Sequence, residues 1–187
     1  MENSQLKRII ESALLCYGAP LSITRMLQMF EESEGVAAAQ IRAVLTELTA
    51  EYKQRGVELV EVASGFRFQT QADLSAWVQK LANERPPRYS RSLLETLALI
   101  AYRQPITRAE IEVVRGVAVN TPTIKTLLER NWVQVAGYRD VPGKPALYAT
   151  TKQFLDYFNL SSLYDLPQLS DVNEVGAIAN QLLETTE

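Results

Sequence analysis

Apolar side chains recur at intervals of three and four along residues 6–52, and this spacing predicts three successive helices. Beyond Gly56 the composition shifts to β-branched and aromatic residues. Residues 57–62 and 66–70 therefore predict two strands, joined by a turn at residues 63–65. A further apolar stripe at helical spacing predicts a fourth helix, and it consists of Leu74, Trp77, Val78 and Leu81.

The second half of the chain repeats this order of elements. Residues 13–17 (Ala-Leu-Leu-Cys-Tyr) are matched by residues 98–102 (Ala-Leu-Ile-Ala-Tyr), and each segment leads into a proline. Residues 66–71 are echoed in the same way by residues 146–151. Because the order is kept along the chain, the repeat predicts two small domains of one architecture.

Polar residues at fixed spacing mark where helices of the second half begin. Ser92 with Glu95 and Thr107 with Glu110 have the spacing of a capping box, in which each side chain satisfies a free amide at the helix start. Thr121-Pro122 offers a capping hydroxyl followed by proline, and this pair predicts the start of a third helix. Strands are expected at residues 132–136 and 146–150, on either side of a long turn.

Two adjacent prolines, Pro86 and Pro87, lie in a charged segment and predict a linker between the domains. We expect the following division of the chain: an N-terminal domain at 1–83, a linker at 84–89, a C-terminal domain at 90–167 and a tail at 168–187. The tail carries apolar residues on one face from Val175 to Leu183, so a short amphipathic helix is predicted there.

Three helices followed by a hairpin form the winged-helix pattern. The predicted fold class is therefore α+β, mainly α with small β-hairpins, arranged as two tandem winged-helix domains. With 187 residues, of which 47% are hydrophobic and 22% charged, the chain is long enough for two modest cores.

Composition argues against an enzyme. Histidine is absent, which removes the commonest general base and the commonest metal ligand. None of the eight glycines forms a phosphate-binding loop or a dinucleotide fingerprint, so no cofactor is expected. The single cysteine, Cys16, lies in an apolar helix pattern, and we expect a packed thiol there rather than a nucleophile. An enzyme that uses Asp, Glu or Cys16 is the least favoured alternative.

The chain also lacks the features of a secreted or membrane protein. The first residues have no small-residue cleavage site, and no apolar run approaches the length of a membrane span. One cysteine excludes an internal disulfide and fits a reducing cytoplasm. We therefore expect a cytoplasmic protein with no membrane contact.

Charge weakens the link between winged helices and DNA. The net charge is −3, whereas nucleic-acid modules usually present a basic face. The third helix of the first domain offers Arg42 together with Glu47 and Glu51, and that of the second domain carries Glu129 beside its two cations. A winged-helix transcriptional regulator that binds DNA is therefore the alternative function and not the favoured one.

Several segments of the second half closely resemble the segregation and condensation protein ScpB family, in family order. The strongest is residues 94–111, which reads Leu-Glu-Thr-Leu-Ala-Leu-Ile-Ala-Tyr-Arg-Gln-Pro-Ile-Thr-Arg-Ala-Glu-Ile. The others are residues 115–117, 127–130, 140–145, 147–151, 154–158 and 162–167. The resemblance is weaker over the first 83 residues and fades in the tail. The sequence also departs from the family at Asn131-Trp132, where a Gly-Leu pair is common, and we expect Trp132 to fill the core.

The resemblance implies a non-enzymatic subunit of the bacterial SMC condensin complex. Members of this family dimerise and bind the kleisin ScpA, and through it they act with the SMC ATPase in chromosome condensation and segregation during cell division. It implies association with the nucleoid, with DNA contact mainly indirect through the complex. It also assigns dimer formation to the N-terminal domain and kleisin contact chiefly to the C-terminal one.

Two sets of residues are expected to carry these contacts. The kleisin set lies at a helix end and near the wing of the second domain: Tyr102, Arg103, Gln104, Tyr138, Arg139, Val141 and Lys144. The dimer set lies on the first two helices and just beyond them, where apolar residues exceed what one small core needs: Ile9, Ile10, Leu14, Met26, Met29 and Phe30. A purely structural role remains open for both sets, with Tyr102 packing on its own hairpin and residues 142–145 only shaping a turn.

Overall fold

The computed structural model describes residues 1–82 and 88–167, which fall into two compact units. Unit 1 lies within Met1–Arg85 and unit 2 within Pro86–Glu187. Each combines helices with a small antiparallel sheet, so the fold is a mixed α+β one. Most of the predicted linker and the whole predicted tail helix lie outside the described residues. Within the described residues, no helix is both long enough and apolar enough to cross a membrane.

Unit 1 consists of helices and one hairpin in the predicted order. The elements are α1 (Asn3–Tyr17), α2 (Ile23–Leu27), α3 (Ala38–Tyr52), β1 (Val57–Val62), β2 (Gly65–Thr70) and α4 (Ser75–Ala82), with short 3-10 turns at Glu32–Glu34 and Ala72–Leu74. The strands pair from Val57 with Thr70 to Val62 with Gly65. The core is formed mainly by the inner faces of α1 and α3, through Leu6, Ile10 and Leu14 on one and Ile41, Val44, Leu45 and Leu48 on the other.

Unit 2 repeats this order and adds a short strand. Its elements are α5 (Arg91–Arg103), β3 (Ile106–Thr107), α6 (Arg108–Arg115), α7 (Thr121–Glu129), β4 (Val133–Tyr138), β5 (Ala146–Thr150) and α8 (Lys152–Tyr157), with a 3-10 turn at Leu163–Asp165. The sheet order is β3-β5-β4, and both pairings are antiparallel. The sequence pattern did not predict β3, because two residues are too few to show an alternation.

The repeat is also visible in how each sheet is joined to the second helix of its unit. In unit 1, Leu21 and Phe66 exchange two backbone hydrogen bonds of 2.8 and 2.9 Å. In unit 2, Ile106 pairs with Tyr148 in the corresponding place. The next residue in each case, Ser22 or Thr107, accepts a backbone amide and caps the helix that follows. One local arrangement therefore closes both units.

The helix caps agree with the sequence prediction at one of three sites. Thr107 and Glu110 form the predicted capping box. The predictions for Ser92 and Thr121 were wrong. Ser90 caps α5 by accepting the Leu93 amide, so Ser92 lies inside the helix. Thr121 is likewise inside α7, where its hydroxyl accepts a hydrogen bond from Arg108.

Trp132 fills the core of unit 2, as predicted. Its indole is almost completely buried, and its ring centroid lies 4.6 Å from that of Tyr157 and 5.1 Å from that of Tyr89. The hydroxyls of these two tyrosines are hydrogen-bonded at 3.0 Å. Burial, reinforced by this bond, raises the pKa of Tyr157 to about 12. The aromatic cluster thereby attaches the chain at Tyr89, where unit 2 begins, to α8.

A largely buried ion pair joins α5 to α6. One guanidinium nitrogen of Arg115, Nη2, donates to the Glu95 carboxylate at 3.0 Å and to the Ser92 hydroxyl at 3.2 Å. The other two nitrogens of Arg115 are buried without a hydrogen-bond partner among the described residues, which makes this guanidinium costly to bury. Arg91 pairs with the second oxygen of Glu95. Glu95 therefore orients the last turn of α6 against α5.

We expect Gly65→Ala to destabilise unit 1 by at least ~2 kcal/mol. Gly65 has a φ of +136°, and a Cβ there would lie 2.3 Å from the carbonyl carbon of Leu21. The hairpin would have to move away from Leu21 and weaken the bond pair that closes the unit. Urea denaturation followed by circular dichroism measures the loss. Gly137→Ala is the matched control, because its Cβ meets open space. Equal stability of the two variants would contradict this role of Gly65.

We expect Glu95→Gln to destabilise unit 2 by about 2 kcal/mol near neutral pH, since it leaves the Arg115 cation buried without its counterion. Glu129→Gln is the control; that carboxylate is exposed, and its pair with Lys125 at 3.5 Å is worth less than ~1 kcal/mol. A loss no larger than that of the control would show that the buried pair contributes little.

We expect the loss of stability in Glu95→Gln to depend on pH. Burial alone would raise the pKa of Glu95, but hydrogen bonds from Arg115 and Arg91 hold that pKa below its ordinary value of 4.5. The Glu95 carboxylate therefore binds a proton less readily in the folded state than in the unfolded chain. The ion pair consequently stabilises the fold at pH values above the ordinary pKa of 4.5. The stability difference between the original chain and Glu95→Gln should shrink as the pH falls through the lowered pKa. A constant difference between pH 7 and pH 3 would contradict this assignment.

Candidate partner-binding site

Unit 2 has a groove where the end of α5, the helix α6 and the loop between β4 and β5 meet. Its floor and sides are apolar, and charged side chains stand at its edges. The lining residues are Arg103, Pro105, Ile106, Glu110, Val113, Val114 and Arg139. The groove brings together two residues of the predicted set, Arg103 and Arg139, with residues of β3 and α6 that were not predicted.

The helix α6 presents an apolar side chain to solvent. Ile111 is fully buried and holds α6 against the core, and Val113 lies on the opposite side with 82% of its surface exposed. Ala109, one turn before Val113, and Val117, just after the helix, are exposed too. Apolar residues four apart lie on one helix face, so Ala109 and Val113 form an exposed stripe on α6, with Val113 lining the groove and Val117 adding apolar surface beyond the helix end.

The loop between β4 and β5 is fastened to α6 by an ion pair. Arg139 Nη2 lies 2.9 Å from the carboxylate of Glu110. The same carboxylate accepts the backbone amide and the hydroxyl of Thr107, each at 2.9 Å. These bonds from Thr107, followed by the charge of Arg139, lower the pKa of Glu110. The carboxylate thus stays ionised and links the start of α6 to the loop.

Internal hydrogen bonds shape the loop itself. The Arg139 amide donates to the Pro145 carbonyl and the Lys144 amide to the Val141 carbonyl, each at 2.9 Å. A second pocket in this loop is lined by Tyr138, Arg139, Asp140 and Lys144. Val141 and Tyr138 expose apolar surface beside it. The loop therefore carries cations and apolar groups next to the stripe of α6.

The predicted kleisin set divides into exposed and internally bonded residues. Arg103, Tyr138, Arg139, Val141 and Lys144 are exposed. Gln104 is partly buried, and its side-chain oxygen accepts both the amide and the hydroxyl of Thr150. The Tyr102 hydroxyl donates to the carbonyl of Pro167 at 2.8 Å. Both of these side chains hold unit 2 together, and their part in a partner contact stays a prediction.

The predicted dimer set divides in the same way. Ile10, Leu14 and Met26 are buried in the core of unit 1, so a second chain that docks on this unit as it stands would not contact them. Ile9 and Phe30 are partly exposed, and Met29 is exposed. A dimer contact through the first helices stays a prediction, and of the predicted set only these three residues are available to it.

The prediction of a packed thiol at Cys16 was wrong, because the residue is exposed. Leu6, Ile10 and Leu14 define the buried face of α1, and a residue two positions after Leu14 lies about 200° further round the helix. The apolar neighbours of Cys16 concealed this, since Leu15 is exposed as well. Within residues 1–82 and 88–167, no group of three or more Cys, Asp or Glu residues could hold a metal ion.

Both third helices carry acidic side chains. In unit 1, Glu47 and Glu51 of α3 both pair with Lys7 of α1. In unit 2, Lys125 pairs with Glu129 along α7. These carboxylates reduce the positive charge that either helix could offer to phosphates, and this arrangement does not favour direct reading of DNA.

The groove residues of α6 are those that sequence reasoning missed. Val113 and Val114 are adjacent, so only one of them can lie on the core face that Ile111 defines. The extra valine was the available signal for an exposed apolar position. In the sequence, Pro105 is explained by a turn and Glu110 by a helix cap, so neither indicated a binding site. Only the fold brings them together with Arg139.

Comparisons with known proteins agree on one family. The family model described as "Segregation and condensation complex subunit ScpB" matches residues 8–169. A segregation and condensation protein B homolog from Coxiella burnetii is 54% identical over 178 residues, which cover 95% of this chain and 85% of that protein. Segregation and condensation protein B from Syntrophotalea carbinolica is 39% identical over 185 residues, with 98% and 91% covered.

Solved structures of similar proteins include ScpB from Mycobacterium tuberculosis. It is 31% identical, covers 86% of this chain and 98% of its own, and has a TM-score of 0.39. A structure described as a dimer of the ScpB N-terminal domain complexed with a ScpA peptide is 27% identical, covers 43% of this chain and 92% of its own, and has a TM-score of 0.37.

Proposed function

We propose a role for this chain on the premise that it belongs to the segregation and condensation complex subunit ScpB family, as its match over residues 8–169 and its 54% identical relative show. The chain is a subunit of an SMC complex that condenses and segregates chromosomes during cell division. It binds the kleisin ScpA, reaches the SMC ATPase through it, and forms a homodimer. The role is non-enzymatic and is carried out at the nucleoid.

Each unit is a winged-helix domain in this proposal. Three helices precede a two-stranded wing in both, and the residue two positions before the second helix pairs with the second wing strand. The domains are those predicted: 1–83, then 90–167 after a linker at 84–89. A net charge of −3 and the carboxylates that α3 and α7 carry support protein partners, with DNA contact mainly through the complex.

The groove of unit 2 is the kleisin site, and one observation carries this assignment. An exposed apolar stripe on α6, centred on Val113, lies beside two guanidinium groups, those of Arg103 and Arg139. Soluble proteins seldom leave large contiguous apolar surface uncovered unless a partner binds there. An amphipathic helix in a groove contacts such a stripe with its apolar face.

The charges at the groove edges define the kleisin segment further. Arg139 is already paired with Glu110, whereas Arg103 has no ion-pair partner among the described residues. A kleisin carboxylate would therefore pair with Arg103 without displacing a carboxylate of this chain. The segment that fits is an apolar helix face flanked by acidic residues. Tyr138, Val141 and Lys144 on the adjacent loop extend the contact.

We expect Val113→Glu and Arg139→Glu each to weaken ScpA binding about tenfold or more, because the first places a charge on the apolar stripe and the second reverses a cation at the edge. Lys144→Glu should act in the same direction with a smaller effect. Isothermal titration calorimetry with the kleisin from the same genome, at about 0.3 M salt to suppress phosphate contacts, measures the change.

Lys125→Glu is the matched control. It reverses an exposed charge on α7, away from the groove-lining residues, and should leave ScpA affinity unchanged. Thermal denaturation of all four variants separates weakened binding from unfolding. Unaltered affinity in both Val113→Glu and Arg139→Glu, with the fold intact, would place the kleisin contact elsewhere on the molecule.

A further inference from the structure

The helix α4 leaves its apolar face uncovered. Trp77, Val78 and Leu81 lie on one side of the helix, and Leu74, the last residue of the 3-10 turn that leads into it, continues their spacing. Trp77 is 65% exposed and Leu81 86% exposed, and the other two are exposed as well. Tryptophan at this exposure is a typical anchor of a protein interface.

The repeat provides an internal comparison for α4. In unit 2 the helix that follows the hairpin is α8, and it packs into its own unit through Phe154, which is fully buried, with Phe158 just beyond it. In unit 1 the helix in the same place turns comparable apolar side chains to solvent. An uncovered apolar face is therefore a property of this copy and not of the architecture.

Two opposite charges flank the apolar face of α4. Asp73 and Lys80 are seven residues apart, so they lie on the same side of the stripe, two turns from each other. Both are exposed, and neither has an ion-pair partner within residues 1–82 and 88–167. This flank therefore carries one negative and one positive charge, and Trp77 lies between them along the helix axis.

This arrangement complements itself in one orientation. When two copies of a helix pack antiparallel about a two-fold axis, residues at a flanking heptad position face the same flanking position of the other helix. An axis between residues 76 and 77 brings Asp73 opposite the second copy's Lys80, and Lys80 opposite its Asp73. This axis lies beside Trp77, so the two Trp77 side chains meet near it. A parallel pairing would leave both charges unpaired.

We propose that α4 packs antiparallel against α4 of a second copy of this chain, with Trp77 at the centre and two symmetry-related Asp73–Lys80 ion pairs along one edge. The assignment rests on the homodimer of the proposed function and identifies its contact surface. It also accounts for the burial of Ile10, Leu14 and Met26, which are not available to a second copy.

The charges favour a second copy over the kleisin as the occupant. The groove of unit 2 has an unpaired cation and suits an acidic segment, whereas the flank of α4 is neutral overall and complementary to itself. A pair of helices of this length buries less than the roughly 1,600 Å² of a standard interface. The contact is therefore modest in area, and we expect the dimer to respond measurably to a single charge.

Sedimentation velocity of the full chain over a range of concentrations tests the apolar part of the contact. Trp77→Glu should weaken self-association about tenfold or more, because it places two carboxylates at the centre of the contact. Tyr164→Glu is the control, since Tyr164 is 98% exposed in unit 2 and lies outside both proposed surfaces. A dimer as stable in Trp77→Glu as in the original chain would overturn the proposal.

A charge exchange tests the orientation. Asp73→Lys and Lys80→Asp should each weaken the homodimer about fivefold, because like charges then face each other. A mixture of the two variants should associate about as strongly as the original chain, and so should the double variant. The differences should diminish at high salt. Failure of both the mixture and the double variant to recover association would overturn the antiparallel pairing.

ScpA binding measured on the same samples separates this proposal from the proposed function. Loss of self-association in Trp77→Glu with ScpA affinity retained supports α4 as the dimer contact. Loss of ScpA binding in Trp77→Glu with the dimer retained would assign α4 to the kleisin and overturn the proposed dimer contact. If the original chain dimerises through α4 but does not bind ScpA, the kleisin assignment fails and this one stands.

Discussion

The short backbone pairing between the hairpin and the residue two positions before the second helix is the constraint on which each unit depends. In unit 1 it consists of the two bonds between Leu21 and Phe66, and it requires glycine at position 65 because the two backbones approach so closely. In unit 2 it becomes the strand β3. Since Thr107 both pairs with Leu147 and caps α6, the pairing fixes the direction in which α6 leaves the sheet. The position of Arg139 beside Glu110, and with it the groove, follows from that direction.

The same architecture carries two different surfaces because the copies differ in local detail. The second helix is short in unit 1 and longer in unit 2, where its extra turn displays Val113 and brings Arg115 to Glu95. The hairpin turn is short in unit 1, whereas the loop of unit 2 reaches α6 through Arg139. The helix after the hairpin is covered in unit 2 and uncovered in unit 1. Small changes in element length therefore move the exposed apolar surface from one end of the repeat to another.

Local patterns predicted the elements better than the contacts between them. Helical spacing identified α1 and α3, and the β-rich segments identified both hairpins, because each signal lies within a few neighbouring residues. Ser92 has the spacing of a helix cap, yet its hydroxyl accepts a hydrogen bond from Arg115 of a different helix. Gln104 resembles an exposed helix end, yet it is bonded to Thr150 of β5. Cys16 has apolar neighbours but lies on the outer face of α1. In each case a partner distant in sequence, or the direction of a helix face, decided the outcome.

The two uncovered apolar surfaces differ in charge, and in the proposed assignments this difference separates their partners. Hydrophobic contact is non-directional, so the stripe of α6 and the stripe of α4 would attract similar partners if apolar area alone decided. Arg103 and Arg139 at the groove favour a segment with carboxylates. On α4 such a segment would meet Asp73 as well as Lys80, so the neutral flank offers its carboxylates no net attraction. A second copy of α4, by contrast, satisfies both charges of that flank at once. Under the two proposals, the charge pattern beside each apolar stripe therefore distinguishes its partner.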